Sequence, residues 1–156
     1  MKKKLPILSL LLLLGAGALL SAGDVKPAQW PHKGSDIAVD PAVRFGALGN
    51  GMRYAIRKNA EPPGRVSLRL HIAAGSLHEA EDQRGVAHFL EHMVFNGSRN
   101  FPDVENLLGR MQRLGIAFGA HANAYTSFDE TVYMLDLPNL EKDTLKLGFE
   151  VMRDFG

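Results

Sequence analysis

Along the chain the apolar positions change period several times, and each change predicts an element. From Phe45 onward, Asn50-Gly51 between short apolar segments is a hairpin signal leading into a strand over 52–57. After a turn carrying Pro62, Pro63 and Gly64, the residues Val66, Leu68, Leu70 and Ile72 alternate with Ser67, Arg69 and His71, the period of a half-buried strand. A loop over 74–82 gives way to a helix over 84–95, stopped by Asn96-Gly97. A second helix over 102–114 places Val104, Leu107, Leu108, Met111 and Leu114 on one stripe and is closed by Gly115. Residues 116–125 are small and predicted extended, 131–137 read as another strand, and Pro138-Asn139 opens a third helix running to the end. Strands and helices interleave without the continuous apolar strands of a parallel sheet, so the predicted class is α+β.

The first 23 residues follow a different rule. Lys2, Lys3 and Lys4 precede an apolar run over 5–20 that is followed by the small residues Ser21, Ala22 and Gly23, the layout of a secretory signal peptide. That layout predicts export across the inner membrane, with the bacterial periplasm as destination. The competing reading is an uncleaved anchor, because the run approaches the ~18 to 20 apolar residues that span a bilayer; it would be the chain's one link to a membrane. Residues 24–44, with Pro27, Pro31, Gly34 and Pro41, read as an extended lead-in, and 45–156 carry the fold.

Composition narrows the chemistry. The chain is 46% hydrophobic and 22% charged, as for one modest globular domain, with a formal net charge of +1. Removing the three leading lysines leaves 15 basic against 17 acidic residues, which gives no footprint for nucleic acid. There is no cysteine, so disulfides, thiolate metal sites and a cysteine nucleophile are excluded, and metal ligands must come from His, Asp and Glu.

Such residues meet on the first helix, in His88-Phe89-Leu90-Glu91-His92. At ~100° per residue, His88 and His92 project about 40° apart and Glu91 about 60° to the other side of His88. Val86, Phe89, Leu90, Met93 and Val94 fill the other directions, which predicts a helix buried nearly all round with three ionisable groups facing one enclosed space. Two neutral imidazoles one turn apart can bite a tetrahedral ion, and Zn2+ is the usual occupant of such a site. Glu91 would then take a proton from a water whose pKa the metal lowers to about 7. The same spacing also serves a structural network in which Glu91 bonds the two histidines.

The motif continues as Met93-Val94-Phe95-Asn96-Gly97-Ser98 and is preceded by Ala74-Gly75-Ser76 and Arg84-Gly85-Val86-Ala87; a second block runs from Asn123-Ala124-Tyr125-Thr126-Ser127 to Thr131-Val132-Tyr133. Two blocks in this order resemble the pitrilysin/insulinase family, the inverzincins. The resemblance implies an antiparallel sheet with helices on one face, as in mitochondrial processing peptidases. It implies Zn2+ held by His88 and His92, with Glu91 as general base of a metalloendopeptidase acting on peptides or unstructured protein segments. Asn123 and Ala124 are implied to bind the substrate strand. Ala120, Ala122 and Ala124 fit that role, since small side chains leave a strand edge open to β-augmentation; close packing against a helix would explain them equally. In the family the third zinc ligand is a glutamate on a later helix, which would fall beyond Gly156, and a second homologous domain or subunit completes the chamber. The expectation is therefore an N-terminal portion of a peptidase domain with little activity by itself, set against a non-catalytic family fragment, a peptide-binding partner domain or a metal-binding protein without substrate. Glu141 and Glu150 are the downstream acids, with Glu150 expected to be solvated. Phe118, Phe128 and Tyr133 are expected in the core, and His71, His78 and His121 at the surface or in polar networks.

Overall fold

A computed structural model of the chain describes residues 29–156; the predicted signal peptide over 1–23 lies outside the described residues. Among those described, no helix is long and apolar enough to cross a membrane. Chain contacts divide the molecule into two compact units that part between Lys58 and Asn59.

The first unit is built on a hairpin, β1 (Val43–Ala47) and β2 (Arg53–Arg57), paired antiparallel with Phe45 opposite Ala55. The Asn50-Gly51 turn is present in a longer loop than the dipeptide suggests: Met52 N bonds the Asn50 side chain, and Leu48 N bonds Met52 O. Trp30 packs edge-on to Phe45 at 4.8 Å and donates its indole hydrogen to Gly46 O, and the Arg53 guanidinium stacks over the indole at 4.9 Å. One large aromatic thus holds a hairpin too short to bury a core of its own.

The second unit contains β3 (Val66–Ile72), α1 (Val86–Met93), α2 (Val104–Arg113), β4 (Ala122–Thr126), β5 (Thr131–Leu137) and α3 (Lys142–Phe155). Its sheet runs β3-β5-β4, antiparallel throughout, with β5 central and β4 at an edge. Alternation decides the faces: Leu68, Leu70, Ala122, Ala124, Tyr133, Leu135 and Leu137 point one way, toward the helices, whereas Ser67, Arg69 and Asp136 bond one another on the other side. Leu135, Leu137, Leu147, Val151, Leu107 and Ile116 form the dry centre. This is the expected α+β arrangement, with helices on one face of an antiparallel sheet.

Two local expectations give way. Residues 116–121 do not extend; Ala117 N donates to the His121 ring and His121 N to Ala117 O, so the segment curls before β4 begins at Ala122. Helix α3 starts at Lys142, after Pro138-Asn139, because the Asn139 side chain accepts from Glu141 N and holds the chain in a turn.

Candidate metal centre

Helix α1 follows Gly85, which takes a left-handed conformation at φ +89° that favours glycine and offers no capping side chain. The cap comes from further back. The Glu79 carboxylate accepts from Ala87 N at 2.8 Å and Gly85 N at 2.7 Å, and these two bonds hold its pKa below the ordinary range. Its negative charge also sits at the positive end of the helix dipole. The loop before Glu79 is tied down as well: Ser76 N and Leu77 N donate to the carbonyls of Ser127 and Phe128 in the β4–β5 turn. Gly75 lies so close beneath that turn that a side chain there would collide with the Ser127 and Phe128 backbone.

The helix so placed presents His88 and His92 to solvent, with the two Nε2 atoms 3.1 Å apart and the ring centroids at 4.7 Å. Two nitrogens bound to one tetrahedral zinc at ~2.0 to 2.1 Å lie about 3.3 to 3.4 Å from each other, so the pair already has close to the bite that the ion requires. Glu91, on the same turn of the helix, is 7% exposed and reaches the β4 strand. Its Oε2 accepts the Thr126 hydroxyl at 2.7 Å; its Oε1 has no protein partner among the described residues and is not sealed from solvent. Tyr133 lies beneath: burial raises its hydroxyl pKa, and the nearby Glu91 charge raises it further. Among the described residues no three His, Asp or Glu side chains converge as a metal-holding set.

The predicted enclosure is corrected here. Phe89 is 64% and Leu90 57% exposed, Val86 and Met93 are exposed with them, and of α1 only Glu91 is buried. A helix apolar all round needs cover on several sides, and among the described residues α1 packs mainly on β4 and β5, with the Ser76–His78 turn beside it. The same reason corrects Phe118 and Phe128, expected in the core but 53% and 68% exposed; Tyr133, in the central strand, is buried as expected. His71 pairs with Glu130, while His78 and His121 accept backbone N–H groups of Gly75 and Ala117, so all three sit in local polar networks. Glu141 precedes α3, and Glu150 is half-buried beside Arg110 and Lys146, so it is not the freely solvated residue expected.

Asn123 and Ala124 lie on β4, on opposite faces of the sheet. With Thr126 opposite Thr131 and Ser127 N bonded to Glu130 O, the alternation sends the backbone groups of Asn123 and Tyr125 across to β5 and turns those of Ala124 and Thr126 outward. The outward Ala124 N–H is met at 2.9 Å by the Asn123 side-chain oxygen. Sequence reasoning singled out neither Thr126 nor Glu79. The strand period, which puts Thr126 on the face of Ala122 and Ala124, could have found the first; the second acts across a loop and leaves no helix-capping pattern.

Residues 54–155 match the family described as Insulinase (Peptidase family M16). The chain is 41% identical over 121 residues to the probable zinc protease PqqL of Haemophilus influenzae, covering 78% of this chain and 13% of that protein. It is 46% identical over 107 residues to the Escherichia coli probable zinc protease PqqL, covering 69% and 11%. The crystal structure of the periplasmic protease PqqL from Escherichia coli superposes with a TM-score of 0.73 at 39% identity, over 76% of this chain and 13% of that one. Pitrilysin superposes with a TM-score of 0.57 at 28% identity, over 72% and 11%. The chain thus spans about an eighth of the length of the curated relatives it matches.

Proposed function

Because the chain belongs to the insulinase family of peptidases, we propose that it carries the metal-binding helix and substrate strand of a zinc-dependent endopeptidase that cleaves peptides or unstructured protein segments in the bacterial periplasm. The observation that carries this reading is the pair of imidazole Nε2 atoms 3.1 Å apart, on a helix that also holds a buried carboxylate bonded by Thr126 through one oxygen.

His88 and His92 would hold Zn2+ through Nε2, with a further ligand from outside the described residues. When bound, zinc supplies a Lewis acid that brings the pKa of a water close to neutrality. Glu91 accepts the proton of the attacking water at Oε1 and returns it to the leaving amine, while Thr126 keeps Oε2 occupied. The outward backbone groups of Ala124 receive the substrate as an added antiparallel strand, and the Asn123 oxygen yields the Ala124 N–H to an incoming carbonyl. Main-chain recognition of this kind makes sequence preference loose. The relatives' names support zinc, and the periplasmic description of PqqL accords with the predicted signal peptide. A second homologous domain or subunit is proposed to complete the chamber.

The test is Glu91→Gln in the full-length protein, reading zinc content and peptide cleavage together. The expected outcome is zinc retained and cleavage reduced by at least about a thousandfold, the scale on which removing a single catalytic group acts. Unchanged cleavage would overturn the assignment.

A further inference from the structure

We infer that Thr126 is the positioning residue for the Glu91 carboxylate. The inference rests on the reading of Glu91 as the base and adds a part to that machinery.

Thr126 ends β4 on the same sheet face as Ala122 and Ala124, the face that α1 covers. Its hydroxyl reaches Glu91 Oε2 at 2.7 Å. Directly opposite in register is Thr131, whose hydroxyl lies 2.9 Å from Ala74 O and 3.4 Å from the Thr126 hydroxyl. Each hydroxyl has one hydrogen to give. The Ala74 carbonyl can only accept, so it takes the hydrogen of Thr131, and Glu91 Oε2 accepts that of Thr126. Neither hydrogen is left for the longer contact between the two hydroxyls. The Thr126 bond therefore has one direction, and it ties one carboxylate oxygen while leaving Oε1 for proton transfer.

The last torsion of a glutamate is broad and roughly two-fold, so a carboxylate with nothing on Oε2 turns. Both threonines stand at the closed end of the β4–β5 hairpin, where Ser127 N and Glu130 O join the strands. Ala74 in turn leads into the loop that docks on the same turn and ends in Glu79, the cap of α1. The helix and the hydroxyl that holds its carboxylate are thereby referenced to one turn of backbone.

The experiment uses full-length, zinc-loaded protein with a quenched fluorogenic peptide, and compares Thr126→Val, Thr126→Ser and Glu91→Gln. Thr126→Val keeps the branched shape and removes the hydroxyl; kcat per bound zinc should fall about 10- to 100-fold, the worth of a hydrogen bond to a charged group. KM should stay within about twofold, because substrate binding does not use the hydroxyl. Zinc content should match the wild type, Tm should fall by no more than the loss of one hydrogen bond allows, and Thr126→Ser should restore most of both kcat and Tm. Should the valine variant not fold, Thr126→Ala replaces it in the same comparison. Wild-type kcat in Thr126→Val, with Glu91→Gln inactive, overturns this inference alone; an active Glu91→Gln overturns the proposed function beneath it. Rate losses matched by zinc loss, and no rescue by serine, assign Thr126 a structural role and overturn the inference.

Discussion

Helices α1 and α3 lie on the same face of one small sheet, yet they are fastened by different means. Helix α3 buries Thr144, Leu147, Gly148, Val151 and Met152 against β3 and β5, an apolar stripe in which even the Thr144 hydroxyl has no polar partner among the described residues. Helix α1 buries only Glu91 and is located by directed bonds: Glu79 on its first N–H groups and Thr126 on its carboxylate. Hydrophobic burial is strong but indifferent to small rotations, whereas hydrogen bonds are weak in net energy and strict in direction. A scaffold needs the first; a helix that must aim two imidazoles and a carboxylate needs the second.

Three substitutions can break or sharpen this contrast. Leu147→Ala, at the centre of the α3 stripe, should cost about 2 to 4 kcal/mol in denaturant unfolding, and a loss no greater than that of the changes below would remove the distinction. Asp154→Asn comes next. Near the end of α3 this carboxylate accepts from the Ser98 hydroxyl and from the Asn100 backbone and side chain, joining the segment after α1 to the scaffold helix. Burial alone would raise its pKa, but those bonds outweigh it and bring it down to about 2. The variant should lose about 1 to 3 kcal/mol. Because the folded pKa lies below the ordinary value of 3.8, the wild-type contribution is complete above about pH 5 and is lost as pH falls through the folded value; acid titration followed by circular dichroism should show a shallower slope in the variant over that interval. The smallest effect is expected from Glu79→Gln: a drop in Tm below that of Asp154→Asn, with zinc affinity of the full-length protein lowered as α1 loses its anchor. An unaltered affinity would mean that the cap does not orient the imidazoles.

How much of this was legible in the sequence follows the same division. The alternation of Val66 to Ile72, the stripe on the second helix and the Asn96-Gly97 stop are local, and the elements stand close to where those patterns put them. His88 and His92 were legible because one helical turn brings them together whatever surrounds the helix. The exposure of Phe89, Leu90, Phe118 and Phe128 was not, since periodicity says that a residue can be covered and never by what. Helix α1 shows this most clearly: its wheel is apolar nearly all round, and the described residues cover it mainly on one side. Nor was the support of Glu91 legible, because the Thr126 hydroxyl and the Glu79 cap join positions 35 and 8 residues apart through tertiary geometry.

The absence of a side chain at Gly75 carries a consequence for inheritance. A single added methyl would push the neighbouring turn outward, and the displacement would travel through Ser76 and Leu77 to the anchor of the imidazole-bearing helix and through Thr131 to its carboxylate. A mutation that alters no group able to bind metal or move a proton would then silence the chemistry, and screens that watch only ionisable side chains would overlook it.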